Sequence, residues 1–553
     1  MDNFLGSIDF LPFQRDVRVS KDNMVYGAWI ASQSFYRALL KYGTFKEYHF
    51  FVNGKREIDD FKECLGRASI RTDRVRVIAI DKLKYLKRIN YIVFFTTGTS
   101  LSQLSFLREY VKKYSPLCGM AFETLSYPRQ IKDVFLNNII SEIHYFDTII
   151  CNSRGVYKYV QKLNKLLSNS FYKKFGLSLK YCGRIDYLPF GIDTTEYNLI
   201  DKTMAKKRLG LPMDKLIILY FGRFSIYDKA DLDPLLIVFK EIVSKEKNIL
   251  LLLSGVNMQG NYGFKVKNLA RELGILSNVK FIFNVKNKDI VYSASDIFVS
   301  PVDNIQESFG LTILEAMAFG LPTVVSDWNG YKDTVIHGKT GFLIPTYWIN
   351  CYKNSFDGLL WDYGWQREHL YLSQSVCVDI KKMKEYLTIL VGNKNLRLLF
   401  GNNAKNIIKE KYDWQVLIPL YERLWIHLSE LAKSSKIISH RRNLFVPEYF
   451  FSFSHYPTHI LDSETKFILT NRGRMFLKTK VFSSIIIPQE LSCIISIRII
   501  FFILNFLYEK RMGDIKEIVA YTKKVFKDVS TGDIRYNIMW LFKKGFISFF
   551  QNK

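Results

Sequence analysis

The sequence predicts an α/β protein with two doubly wound parallel-sheet domains in tandem and a small, mostly helical third domain. Three observations carry this. Residues 1–200 alternate short apolar runs ("HFFVNG", "VRVIAI", "NYIVFFTTG", "PLCGMAF", "DTIICNS", "IDYLPFGID") with amphipathic stretches. Residues 201–400 start the alternation again with "KLIILYFGR", "NILLLLSG", "NVKFIFNV", "DIFVSP", "PTVVSD" and "GFLIP". After the basic, polar linker "KSSKIISHRRN" the pattern changes to helical periodicity. Strand and helix in strict alternation imply a parallel sheet with helices on both faces.

Each segment has its reason. Asp201 to Leu211 is a polar, helical connector that stops before Pro212. Between Tyr347 and Asp379 the chain is aromatic and irregular, read as a surface insertion of the second domain. Helical pattern resumes at Ile380, and residues 401–432 form the helices that close this part, with Trp414 as a core residue. Residues 443–553 are the third domain. Its most apolar run, Ile494 to Leu507, contains Arg498 and falls short of the roughly twenty apolar residues of a spanning helix, so a buried helix is expected.

Composition narrows the partners. Lys and Arg number 79 against 52 Asp and Glu, a formal charge of +27, which favours nucleic acid, anionic lipid or phosphorylated small molecules. The seven cysteines are scattered without a CxxC pair, so neither a disulfide framework nor a zinc site is indicated, and a reducing cytosol is the simplest compartment. The N-terminus lacks the basic start and apolar run of a secretory signal.

The candidate site centres on "NIQESFGLTILEAMAFGLPTVVSD". The strand "DIFVSP" ends near Pro301, a loop follows, and apolar periodicity from Leu311 reads as a helix stopping at Gly320. Glu307 then lies in the loop and Glu315 in the helix. Phe309, Gly310, Leu311 and Thr312 sit at the helix start, where unpaired amides make an anion site. In an open α/β sheet ligands bind outside the carboxyl ends of the strands. Arg223 and Lys229 follow "KLIILYFG" at such an end and suit a diphosphate. The two carboxylates repel phosphate and suit sugar hydroxyls.

These residues together resemble glycosyltransferase family 4, retaining enzymes of the GT-B fold with an E-x7-E pattern. Glu307 and Glu315 match the two glutamates, Arg223 and Lys229 the GR...K pair, and "GLPTVVSDWNGYKDTVIHGKTGFLIP" the following segment. The resemblance covers about Asp147 to Leu431 well and the first domain more weakly. It implies two Rossmann-like domains facing a cleft, with an acceptor domain over 1–200, a donor domain over 201–400, and crossover helices over 401–432 that pack back on the first domain. It further implies that Glu315 binds ribose hydroxyls, Glu307 contacts the donor sugar, and Arg223 and Lys229 neutralise the departing diphosphate, aided by the amides of 309–312. No cofactor and no metal are expected beyond the nucleotide-sugar co-substrate. The family often carries a histidine near the donor in a motif resembling "HSLSY"; here "FETLSY" puts Glu123 in its place. Of the glycine-rich turn after the first strand, only Gly27 is a candidate.

The acceptor classes implied are glycan, lipid-linked glycan and peptide, in that order. Residues 154–184 carry eight Lys and Arg with no acid. Val156, Tyr159, Val160, Leu163, Leu166 and Leu167 fall at helical spacing, and Lys158, Lys162 and Lys165 share another face. This is either a solvated face of a packed helix or a surface for anionic lipid, placing the protein in the cytoplasm or peripherally on the inner face of the membrane. Residues 443–553 read as three helices and a short strand. They resemble a winged-helix unit and, more loosely, small domains that escort precursor peptides. Self-association or protein binding, peptide capture and, least favoured, nucleic-acid binding are open there. A non-catalytic adaptor on the same scaffold is the rival for the whole chain, with Glu123 its main support.

Overall fold

The computed structural model describes residues 4–7, 27–52, 58–59, 61–62, 73–80, 91–105, 115–121, 125, 128–257, 262–285, 287–349, 365–435, 449–479, 491 and 494–550. They form two compact units, Met1–Phe445 and Val446–Lys553.

The first unit holds two parallel sheets. Sheet one contains β1 (Phe4–Ser7), β2 (Glu47–Val52), β3 (Val75–Ala79), β4 (Tyr91–Thr96), β5 (Leu117–Ala121), β6 (Thr148–Cys151) and β7 (Arg184–Tyr187), in the order β3-β2-β1-β4-β5-β6-β7. Sheet two contains β8 (Leu216–Phe221), β9 (Ile249–Gly255), β10 (Val279–Phe283), β11 (Ile297–Ser300), β12 (Thr323–Ser326) and β13 (Gly341–Ile344), in the order β10-β9-β8-β11-β12-β13. All twelve quoted apolar runs are strands here. Central strands such as β9 and β12 are buried along their whole length, as helices on both faces require. The thirteenth strand, β1, lies mid-sheet between β2 and β4, and its four residues are too short to show a period. Each sheet reverses its strand order once, at β1/β4 and at β8/β11, and a crevice opens at such a switch point.

Two long helices shape the rest of this unit. Helix α1 (Gly27–Tyr42) follows β1 in sequence. Helix α2 (Arg154–Phe175) starts at Ser153, whose hydroxyl accepts from Val156 N, and ends at Gly176 in the left-handed region (φ 68°). Val156, Val160, Leu163 and Leu167 are buried, whereas Leu166, expected on that apolar face, is exposed. After sheet two, β14 (Thr346–Trp348) pairs antiparallel with β15 (Val376–Val378), and Trp365–Ser373 is helical. The stretch read as irregular therefore contains regular structure: three-residue strands give no sequence period, and only their pairing reveals them.

The chain crosses twice between the sheets. Ile192 N donates to Tyr412 O at 2.9 Å and Trp414 N to Ile192 O at 3.0 Å, a short parallel bridge between the two crossings. Helix α3 (Trp414–Ser434) then returns to the first sheet. Trp414 Nε1 donates to Ser34 Oγ on α1 at 2.9 Å, the Trp425 ring stacks on Phe95 of β4 at 5.4 Å, and Glu422 accepts from Thr44 N and Oγ1, both at 2.7 Å. Both tryptophans are fully buried. Truncating either to alanine would cost about 3–5 kcal/mol, so this helix is integral to the first domain.

In the second unit, β16 (Lys466–Leu469) lies between β17 (Met512–Asp514) and β18 (Ile547–Phe549), both antiparallel to it. Helices Ile497–Lys510, Ile515–Val525 and Thr531–Lys543 supply Ile503, Leu504, Ile518, Ile538 and Leu541 to a shared core. Asp514 and Glu517 form a reciprocal capping box. The expected three helices are present, together with the helices Tyr449–Phe453 and Asn471–Thr479 and a sheet of three strands rather than one. Among the described residues no helix is long and apolar enough to cross a membrane; Ile497–Lys510 is a core helix instead.

Candidate functional site

The site is built at the switch point of sheet two. Arg223 and Lys229 follow β8, Glu307 follows β11, and these adjacent strands are where the order reverses. The 78-residue separation in sequence thus disappears in space: Lys229 Nζ donates to Glu307 Oε2. Arg223 Nη1 donates to Asp228 Oδ2 at 3.1 Å, and its Nη2 lies 3.5 Å from Gln306 Oε1. Both cations are therefore held by carboxylates, a restraint that the sequence did not disclose.

Glu307 is fixed from two further directions. Asn329 Nδ2 donates to its carbonyl at 3.0 Å, and Tyr331 OH lies 3.4 Å from Oε2. Ser300 Oγ and Tyr331 OH are hydrogen-bonded at 3.1 Å. Burial first, and the Glu307 carboxylate second, push the Tyr331 phenol well above the ordinary tyrosine value, so the hydroxyl stays a donor. Gly310 occupies the left-handed region (φ 99°), and a Cβ there would collide with the Tyr331 ring. The glycine thus permits the approach of Tyr331 to the loop that carries Glu307.

Glu315 lies one turn into the helix Leu311–Ala318 and is buried. Lys288 Nζ donates to its Oε1 at 2.5 Å and Tyr292 OH to its Oε2 at 2.9 Å. Gly310 is the N-cap with no side-chain cap, so Leu311 and Thr312 lead the helix with amides that lack intrahelical acceptors. The Phe309 ring is buried against Phe190 at 6.1 Å and Tyr412 at 6.3 Å, which ties the loop to the crossing segments.

The first domain meets this loop cluster. Ser153 Oγ donates to Asn329 Oδ1 at 3.2 Å, and Arg154 N donates to Asp333 Oδ2 at 2.7 Å, so a carboxylate of the second domain caps α2 of the first. Gly155 has no room for a Cβ beside Asn329. Burial raises the Asp333 carboxyl above the usual aspartate range, and the Arg154 amide opposes this. Asp303, earlier in the same loop as Glu307, is buried with an unpartnered Oδ1 and is pushed well above that range by burial and then by Asp231.

Arg223, Lys229, Glu307, Phe309, Gly310, Leu311, Thr312 and Glu315 are thus gathered at one edge. Gly27 is the first residue of α1, following β1 at the switch point of the other sheet. Glu123 lies outside the described residues. Sequence reasoning missed Asp228, Lys288, Tyr292, Asn329 and Tyr331. Asp228 adjoins Lys229 and was within reach of a charge-pairing argument; the others have no spacing that marks them. Among the described residues no group of three or more His, Cys, Asp and Glu stands ready to hold a metal ion.

D-inositol 3-phosphate glycosyltransferase 2 of Catenulispora acidiphila is 31% identical over 186 residues, covering 32% of this chain and 43% of that protein. Capsular polysaccharide biosynthesis glycosyltransferase CapM of Staphylococcus aureus is 26% identical over 233 residues, covering 41% of this chain and 50% of that one. The chain thus spans half or less of the length of these curated relatives. Among solved structures, Anabaena HepE in complex with UDP superposes with a TM-score of 0.53 at 14% identity, covering 76% of this chain and 99% of that chain. That likeness is one of fold and agrees with the GT-B architecture of two facing α/β domains. Residues 201–369, which include Arg223, Lys229, Glu307 and Glu315, match the family Glycosyl transferases group 1, and the chain carries a domain of that kind.

Proposed function

We propose that the protein is a retaining glycosyltransferase that moves a sugar from a nucleotide-sugar donor to a hydroxyl acceptor. The observation that carries the reading is the Lys229–Glu307 pair across the β8/β11 switch point, with Arg223 beside it and Glu315 on the adjoining helix. Breaking the glycosidic bond loads negative charge on the leaving diphosphate, and fixed cations there stabilise the transition state. Arg223, Lys229 and the leading amides of 309–312 take that part without a metal. Glu315 accepts from ribose hydroxyls, Glu307 from a hydroxyl of the donor sugar, and the leaving phosphate accepts the acceptor's proton, which gives retention.

UDP heads the list of nucleotides because HepE is described with it. The acceptor is a glycan or lipid-linked glycan, in keeping with the polysaccharide in the name of CapM, or a peptide. The second unit, with the helices and small sheet of a winged-helix domain, serves a protein partner, a second copy or the acceptor. The test is calorimetric titration of the full chain with UDP, GDP, ADP and CMP and their common sugars. Micromolar binding of one nucleotide, lost in both Glu315→Ala and Arg223→Ala, supports the reading; absence of binding by the folded protein removes it. Turnover that persists in EDTA and an unchanged anomeric configuration by NMR test the finer parts.

A further inference from the structure

Helix α2 ends in a surface unlike the rest of its length. Its apolar face is spent on the domain core, which leaves no face free to lie flat in a membrane. Its C-terminal end and the segment after it instead expose Tyr172 (66%), Phe175 (59%), Leu177 (52%) and Leu179 (36%) to solvent. Exposed Lys173, Lys174 and Lys180 alternate with these apolar groups, and Lys174 Nζ lies 5.5 Å from the Phe175 ring centroid. Lys162 and Lys165 continue the exposed basic stripe along the helix, beside exposed Leu166. No Asp or Glu occurs anywhere between Arg154 and Arg184.

An apolar cluster of this kind, rimmed by one sign of charge, marks an interaction surface. A purely aqueous surface explains the lysines and leaves the aromatic and leucine side chains unexplained. A protein partner of ordinary composition explains the apolar groups and leaves the absence of any acid unexplained. An anionic bilayer accounts for both: headgroup phosphates attract the lysines, and the amphipathic rings settle at the interface. We propose that the tip formed by Tyr172, Phe175, Leu177 and Leu179, with Lys173, Lys174 and Lys180, docks the protein on an anionic lipid surface. The tip lies about 30 Å along α2 from Ser153 at the cleft, by the 1.5 Å rise per residue. Docking is therefore separable from nucleotide binding and does not depend on the proposed transfer reaction.

The experiment is co-sedimentation of the full chain with phosphatidylcholine vesicles, with and without phosphatidylglycerol. Two variants accompany it, Tyr172→Ser/Phe175→Ser/Leu177→Ser and Lys173→Glu/Lys174→Glu/Lys180→Glu, each checked for unchanged thermal unfolding. All the substituted positions are exposed, and the charge-reversal variant reads the proposal if the apolar one folds poorly. The expected result is binding to the phosphatidylglycerol vesicles that weakens with salt and falls by about tenfold or more in either variant. Failure to bind, or binding unchanged in the folded variants, overturns the proposal. So does concentration-dependent dimerisation in light scattering that the apolar variant abolishes, because the occupant is then a second copy.

Discussion

Lys229 and Glu307, from loops that follow neighbouring strands, form an ion pair with only 13% and 12% of their side chains exposed. They lie 78 residues apart in the sequence, and the reversal of strand order between β8 and β11 brings them together. Such a pair costs desolvation on both sides, and removing one partner leaves the other charge buried without compensation. Its retention at the crevice of an open sheet fits a preorganised ligand site better than a stabilising device.

Stability and activity should therefore separate at this pair. Lys229→Met and Glu307→Gln are each expected to lower unfolding free energy by roughly 3 kcal/mol, as for a broken buried pair, while the double variant recovers most of the loss. Transfer in the double variant should stay down by about two to three orders of magnitude, the usual effect of deleting one preorganised donor. Urea unfolding and donor turnover on the same four proteins decide it. A double variant no more stable than the singles counts against the pair being coupled.

Nucleotide affinity is expected to respond very differently to the two partners at Glu315. Lys288 donates to Oε1, the same carboxylate that would accept from a ribose. Glu315→Ala removes the acceptor and leaves Lys288 and Tyr292 unpartnered there; loss of about a hundredfold, roughly 2.7 kcal/mol, is expected. Lys288→Ala removes a competitor as well as a support, so affinity should change by less than about tenfold. Titration with the nucleotide that binds the parent protein measures both.

The parts of this architecture legible in the sequence were those with a local period or a chemical reason to stand out. Twelve apolar runs identified their strands because buried parallel strands are apolar on both faces. Arg223, Lys229, Glu307 and Glu315 stood out because charge is unexpected beside such strands. Phe4–Ser7 and the three-residue strands β14, β15 and β17 are too short to carry a pattern, so only pairing defines them. Tyr331 reads as an ordinary aromatic. Its position against Gly310 and Glu307 follows from the packing of two loops, which no spacing encodes.

The contact between Asp333 and the start of α2 should govern how the two sheets are held. Asp333→Ala removes the acceptor for Arg154 N and is expected to cost about 1 kcal/mol, as for a lost helix cap. It should also loosen the cleft, because one tie between the domains is lost while Tyr412 OH, 2.6 Å from the Asp333 carbonyl, and Asn329 at Ser153 are left to hold it. Asp333→Asn keeps an acceptor and should recover more than half of the loss. Thermal unfolding gives the energies, and an increased radius of gyration in solution scattering for the alanine variant alone reads the opening.

Asp303 makes a prediction with a pH signature. Burial, then the neighbouring Asp231, raises its folded-state value well above the ordinary 3.8, so the folded protein holds this proton more tightly than the unfolded chain does. Its contribution to stability is therefore fully present below about pH 3.8 and is lost as pH rises through the folded value. Asparagine mimics the protonated form at every pH. Asp303→Asn should accordingly match the parent near pH 3.8 and become more stable than it as pH rises, by on the order of 1 to 3 kcal/mol at neutral pH, the range for one uncompensated buried polar group. Urea unfolding of both proteins from pH 4 to 8 tests this. A difference that is constant across that range would mean that the gain comes from packing or hydrogen bonding and that no proton is linked to folding at this position.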